Sequence, residues 1–258
     1  MKRNILKILL IILLVIILFI ILKIDVRFFI SNIIESFFRT VIEEQRYKLL
    51  LEGFISTTII SIISIILGTM LGILIYCIRK SKFRTLRKIG GFYVKVMQGV
   101  PITVLLLTAY YVIFGRINIE PVLVAIITFS IYFSAYVSEI FKGAMDSINI
   151  SQIHSAYALG FNKFQTIKYI ILPQALTYTI PVYKNEVVSL VKLTSIAGYI
   201  SIMDLTKASD IIRNRTYEAF FPLIITAIIY FILCYFISKI LDLLYKKVNP
   251  RNYARGDK

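Results

Sequence analysis

Residues 154–173 read HSAYALGFNKFQTIKYIILP, a polar, helix-prone stretch set between two long apolar blocks, with one glycine inside it and a proline closing it. The blocks belong to a chain of 258 residues that is 58% hydrophobic and only 17% charged. A soluble domain carries about a quarter charged residues, so this composition belongs in a membrane. A hydrocarbon layer of about 30 Å takes roughly 20 apolar residues of helix to cross. Six runs have that length: 5–24, 54–78, 93–114, 121–141, 177–203 and 220–244. The expectation is an all-α integral membrane protein of six transmembrane helices, with both termini on the same side.

The formal net charge is +16, which in a soluble chain would raise nucleic acid as a partner. Its distribution argues otherwise. On the side of the termini lie eighteen cations against three acids, six of those cations in RKSKFRTLRK (79–88), whereas the opposite side holds eight cations against nine acids. The positive-inside rule then makes the termini and residues 154–173 cytoplasmic. The basic excess is topology, so the partner it implies is the lipid bilayer and no nucleic acid. Residues 1–25 begin basic and turn apolar like a signal peptide, but no small-x-small cleavage site follows, and Lys7 and Lys23 can snorkel to the two interfaces. They are read as an uncleaved first span.

Three stretches follow: 1–51, the first helix with an external amphipathic segment; 52–246, the membrane domain; and 247–258, a basic cytoplasmic tail. In the external segment Ile30, Ile33, Ile34, Phe37, Phe38 and Val41 recur at helical spacing, with Glu35, Arg39, Glu43 and Glu44 on other faces. Such a helix lies on the outer membrane surface or caps the bundle. In the second span Thr57, Ser61, Ser64, Gly68 and Gly72 share one face. Small residues there let a neighbouring helix approach closely, which orients that face inward.

The chain has no phosphate-binding G-x-x-x-x-G-K-[ST], no H-E-x-x-H and no nucleophile elbow. Its single histidine, His154, and two cysteines, Cys77 and Cys234 in different apolar runs, give neither a metal-ligand cluster nor a disulfide framework. No catalytic, cofactor or metal site is expected.

Residues 142–173 form a cytoplasmic segment longer than a turn requires. It reads as two short helices, 151–159 and 162–171, separated at Gly160, which can take a positive φ cheaply. The next span then begins at Pro173, a residue suited to a first helical turn. Ala156, Leu159 and Phe161 would present an apolar face, and Leu172-Pro173 would couple the segment to the fifth span.

These residues match a family pattern: E-A-A, three residues, Gly, nine residues, Ile, one residue, Leu-Pro. Here it runs His154-Ser155-Ala156, three residues, Gly160, nine residues, Ile170, Ile171, Leu172-Pro173. It resembles the cytoplasmic loop of permease subunits of bacterial ABC importers. The remainder is similar to the polar amino-acid subgroup, through EGFISTTIIS from Glu52, QGVPITVLLLTAYY (98–111), AYVSEIFKGAMDSI (135–148), ILPQAL, PVYKNEVVSLVKLTSI and ISIMDL. The departures are His154 for the usual Glu, Ser155 for Ala, Ser151 for Gly, Gln98 for Arg and Leu193 for Asp.

The resemblance implies a type I ABC importer transmembrane domain in a bacterial inner membrane, and a non-enzymatic subunit of a polar amino-acid importer. Its loop, here His154, Ser155, Ala156, Leu159, Gly160, Phe161, Leu172 and Pro173, would dock on a separate ATPase subunit. ATP and Mg²⁺ would be bound there and not on this chain. The other implied partners are a second permease copy or a sister permease, and an extracytoplasmic solute-binding protein.

Ionisable residues inside a membrane are costly and therefore candidates for function; here they are Glu139, Lys184, Glu186 and Lys192. Glu139 and Lys142 stand three apart on one helical face, as a structural or gating pair. Asn185, Ser189 and Lys192 share a face of the fifth span, either lining a solute pathway in which Lys192 meets a carboxylate or serving as polar glue between helices. The competing readings are a self-contained ion-coupled transporter and a membrane scaffold. Against the former stand the missing inverted repeat and the docking loop.

Overall fold

The computed structural model describes residues 26–248. Helix α1 (Val26–Phe37) runs through a π-turn into α2 (Tyr47–Arg79), followed by α3 (Arg84–Gly99), α4 (Ile102–Thr108) and α5 (Pro121–Asp146). The polar segment supplies α6 (Ile150–Ala158) and α7 (Lys163–Thr166), and α8 (Leu172–Leu193), α9 (Leu205–Thr216) and α10 (Phe220–Val248) complete the chain. Among the described residues, three helices are long and apolar enough to cross a membrane, namely Tyr47–Arg79, Pro121–Asp146 and Phe220–Lys247, or five if each of two bent pairs counts as one span. The expected span 5–24 and the tail 249–258 lie outside the described residues.

The seam between α2 and α5 organises the bundle. Thr57, Ser61, Ser64, Gly68 and Gly72 are all buried. A Cβ on Gly68 would lie 2.9 Å from the Ser130 carbonyl oxygen, and one on Gly72 would lie 2.5 Å from Val137 Cβ. Backbones this close leave no room for any side chain. Phe129 and Phe133 of α5 fill the core beside them with no exposure. Farther out, the Thr57 hydroxyl accepts a hydrogen bond from Leu205 N–H (3.1 Å) and seats the start of α9. Asp204 fixes the same corner, its two oxygens accepting from Gly198 N–H and Lys207 N–H, both at 2.7 Å.

The external segment caps the bundle along one edge. Val41 and Thr40 are buried, the Phe37 ring stacks edge-on against Phe221, and Ser36 donates to Glu218 (3.0 Å). Its opposite edge, with Ile34 and Phe38, stays open.

Two expected spans differ from their straight reading. The run 93–114 is broken: α3 and the helix Ile102–Ile113 meet at 103°. Val100 is extended (φ −106°, ψ 131°) before Pro101, the conformation that a following proline imposes. The fifth span begins well before Pro173, because α7 continues through a π-turn (Ile167–Ile171) into α8. Proline lacks the N–H of an α-helical ladder, and its ring crowds the carbonyl four residues back. The wider turn, closed by Leu172 N–H on the Ile167 carbonyl, stands where that conflict would arise.

Candidate functional site

The polar segment is held by its own side chains. Asn149 Oδ1 accepts from both the N–H and the hydroxyl of Ser151 (2.9 Å each), starting α6. At the other end Gly160 has φ +84°. Its N–H bonds the Tyr157 carbonyl (3.0 Å), and Phe161 N–H bonds the Ala156 carbonyl (3.1 Å). That pair of bonds is a Schellman cap, whose left-handed residue is usually glycine. Asn162 and Gln165 then form a reciprocal capping box, 2.9 Å in each direction, which opens α7. The corner is therefore fixed by hydrogen bonds on both sides of Gly160.

Its foundation is a small apolar cluster of Ile148, Ile171 and Ala175, with Met145 and Ile153 against it. Gln174 Nε2 adds a bond to Gln152 Oε1 (2.7 Å) that ties α6 to the base of α8. One of the residues read from sequence behaves differently from that reading. Ala156 is 2% exposed and packs inward, so it presents nothing to a partner. Leu172 and Pro173 are exposed and lie in the continuous helix that joins the segment to the fifth span, beside the buried Ile171 and Ala175. His154, Ser155 and Gly160 lie on the surface and Phe161 is half-buried, its ring 6.5 Å from that of Tyr169. The outward apolar groups are Leu159 (78% exposed) and Phe164 (71%), joined by Ile150 and Tyr157. Phe164 was legible as the one large apolar residue in the four-residue helix KFQT; its outward direction depends on the corner at Gly160.

Glu139 does lie near Lys142 (3.7 Å), but its shorter ion pair is with Arg79 of α2, at 2.7 Å. Arg79 also donates to the Ser138 hydroxyl (3.0 Å), and Lys80 meets Asp146 at 3.3 Å. The C-terminal ends of α2 and α5 are thereby clamped. Lys184 of α8 pairs with Asp242 of α10 at 2.6 Å, and Tyr183 shares a hydrogen bond with Thr69 (2.6 Å).

Between α3, α5 and α8 opens a cleft of about 490 Å³, lined among others by Gln98, Tyr136, Glu139, Tyr178 and Glu186. Asn185 and Lys192 lie exposed on α8 and Ser189 half-buried, and none of the three lines this cleft. Glu186, one position from Asn185, does. Among the described residues no His, Cys, Asp and Glu side chains gather as a metal site.

Residues 64–251 match the family model described as binding-protein-dependent transport system inner membrane component. The chain belongs to that family. This permease is 35% identical over 201 residues to the putative glutamine transport system permease protein GlnP of Rickettsia prowazekii (strain Madrid E), covering 77% of this chain and 92% of that one. The probable amino-acid ABC transporter permease protein YckA of Bacillus subtilis (strain 168) is 34% identical, with 83% and 95% covered. The L-cystine transport system permease protein TcyB of the same organism is 30% identical, with 81% and 90% covered. Among solved structures the permease superposes on an amino acid ABC transporter crystallised with histidines, at TM-score 0.70 and 30% identity over 78% of this chain and 94% of that one. The MetNI methionine ABC transporter shares the fold, at TM-score 0.63 and 20% identity over 78% and 96%. The fold is that of type I ABC importer permeases, and the protein is a multi-pass membrane component of such a transporter.

Proposed function

We propose that this permease carries polar amino acids into a bacterial cell through the inner membrane, driven by ATP hydrolysis on a partner ATPase that docks on residues 150–169. ATP and Mg²⁺ belong to that partner, and the permease itself does no covalent chemistry. It works as a pair, with a second copy or a sister permease, and receives its solute from an extracytoplasmic binding protein. The observation that carries this reading is the outward pair Leu159 and Phe164 on a hydrogen-bonded corner continuous with α8. Apolar side chains held rigidly in water are costly unless a partner covers them. The amino-acid class is supported by the similarity to permeases named for glutamine and cystine transport. Six spans with both termini cytoplasmic accord with the basic excess on that side.

The test is reconstitution in proteoliposomes with the co-purifying ATPase. Uptake of L-glutamine that requires ATP and the binding protein is expected. Uptake by the permease alone, driven by an ion gradient, would overturn the reading in favour of a self-contained ion-coupled transporter.

A further inference from the structure

Helix α3 presents three different faces. Gly90 and Val94 turn inward: a Cβ on Gly90 would stand 2.8 Å from Arg79 Cγ, and Val94 is buried. Beside them the Tyr93 hydroxyl donates to the Ile131 carbonyl of α5 (2.7 Å). Ile89 and Phe92 turn outward at 58% and 69% exposure, as does Phe83 just ahead of the helix. On the remaining face Arg84, Lys88, Gly91 and Lys95 follow one another at spacings of four, three and four, which sets them in one stripe about 16 Å long. The side chains of Arg84, Lys88 and Lys95 are exposed and make no ion pair among the described residues, whereas the nearby Arg79 and Lys80 are committed to Glu139 and Asp146.

Gly91 lies within this stripe. A glycine inside a helix is costlier than an alanine, and neither usual reason for it applies here. A Cβ would meet nothing within 4 Å, and the backbone is not left-handed. What the missing side chain leaves is an open notch between Lys88 and Lys95. Topology asks only that cations stand on this side of the membrane; it does not ask for a helical register, nor for aromatic residues exposed beside it. An anion free in water would match the stripe but not Ile89 and Phe92 at its edge. A lipid supplies an anionic headgroup and a hydrocarbon chain together.

We propose that the outward surface of α3 is a seat for one anionic phospholipid, its headgroup on Arg84, Lys88 and Lys95 over the notch at Gly91 and its acyl chains against Ile89 and Phe92. The proposal goes beyond the importer reading and does not depend on which solute is moved.

The purified permease–ATPase complex is released from mixed micelles of phosphatidylglycerol and phosphatidylcholine, and the lipids it retains are counted by native mass spectrometry. The wild-type complex is expected to retain phosphatidylglycerol in preference, and to lose that preference as salt is raised. Neutralising the stripe by Arg84→Gln, Lys88→Gln and Lys95→Gln together is expected to lower phosphatidylglycerol retention by about tenfold or more, with phosphatidylcholine unchanged. Gly91→Leu, which fills the notch, is expected to lower it as well without lowering the thermal midpoint of the complex. Unchanged retention in either variant overturns the proposal. So does inorganic phosphate that displaces the lipid as well as added phosphatidylglycerol does, which would make the face a site for a soluble anion. Loss of the ATPase from the neutralised variant with lipid retention kept would assign the face to the ATPase and overturns it too. Should the neutralised variant fail to assemble, the wild type and the charge-retaining pair Lys88→Arg with Lys95→Arg decide: both must prefer phosphatidylglycerol, and equal retention of the two lipids refutes the seat.

Discussion

The α2–α5 seam and the α6–α7 corner are both short stretches built around glycine, yet they use it for opposite ends. At Gly72 the absent side chain admits another helix, with Val137 Cβ 2.5 Å from where a Cβ would stand. At Gly160 nothing lies within 4 Å of that position, and glycine serves the backbone, which turns at φ +84°. The seam is closed by the protein's own groups. The corner holds its shape with its own hydrogen bonds but leaves Leu159 and Phe164 uncovered. One region spends its surface inside the chain, and the other leaves it exposed, as the proposed docking of an ATPase requires.

The sharpest way to break this contrast is at the seam. Gly72→Leu must drive a side chain into Val137 and the Ser134 carbonyl. Overpacking of a close helix pair costs about 3 kcal/mol or more, and loss of monodisperse permease in size-exclusion chromatography is expected. Next comes the corner. Gly160→Asp meets no steric obstacle, and its left-handed backbone costs about 1–2 kcal/mol, so membrane insertion should persist while uptake is abolished; full transport would show that the corner does not convey the ATPase's motion. A smaller effect is expected from Phe164→Ala. Removing an exposed apolar anchor should weaken ATPase binding by about tenfold without moving the thermal midpoint of the permease alone, and a loss of thermal stability would place Phe164 with the seam. Smallest is Asn149→Ala, which deletes the cap of α6 and should cost about 1 kcal/mol, read as a shift of a few degrees in that midpoint.

The sequence was most legible where one residue type answers one physical demand. The five-residue small stripe pointed inward because no other face of α2 admits a neighbour so closely, and Gly160 marked a corner because a positive φ favours glycine. The break at Val100-Pro101 had a local signal too, the residue before a proline, but hydropathy alone joined 93–114 into one run. Other features depend on distant partners. Arg79 and Glu139 are far apart in sequence, so Glu139 was paired with its helical neighbour Lys142. Ala156 was expected on an apolar face with Leu159 and Phe161, yet it is 2% exposed, on a helix against which the stretch Lys163–Ile171 packs. Glu186 stood among the costly intramembrane residues, but only the placement of Arg79 against Glu139 and of Lys184 against Asp242 shows that, among the described residues, Glu186 has no ion pair while Glu139 has.

The continuity of α7, the π-turn and α8 also sets the mechanical scale of the protein. From Lys163 to Leu193, at about 1.5 Å per residue, the helix is about 45 Å long, with Phe164 at one end and Glu186 near the other. In the proposed coupling this helix would serve as a lever: a push at the Phe164 end would travel along one continuous element, with Pro181 inside it as the place where it can bend, so the docking surface and the cleft would need no contact beyond the helix that carries both.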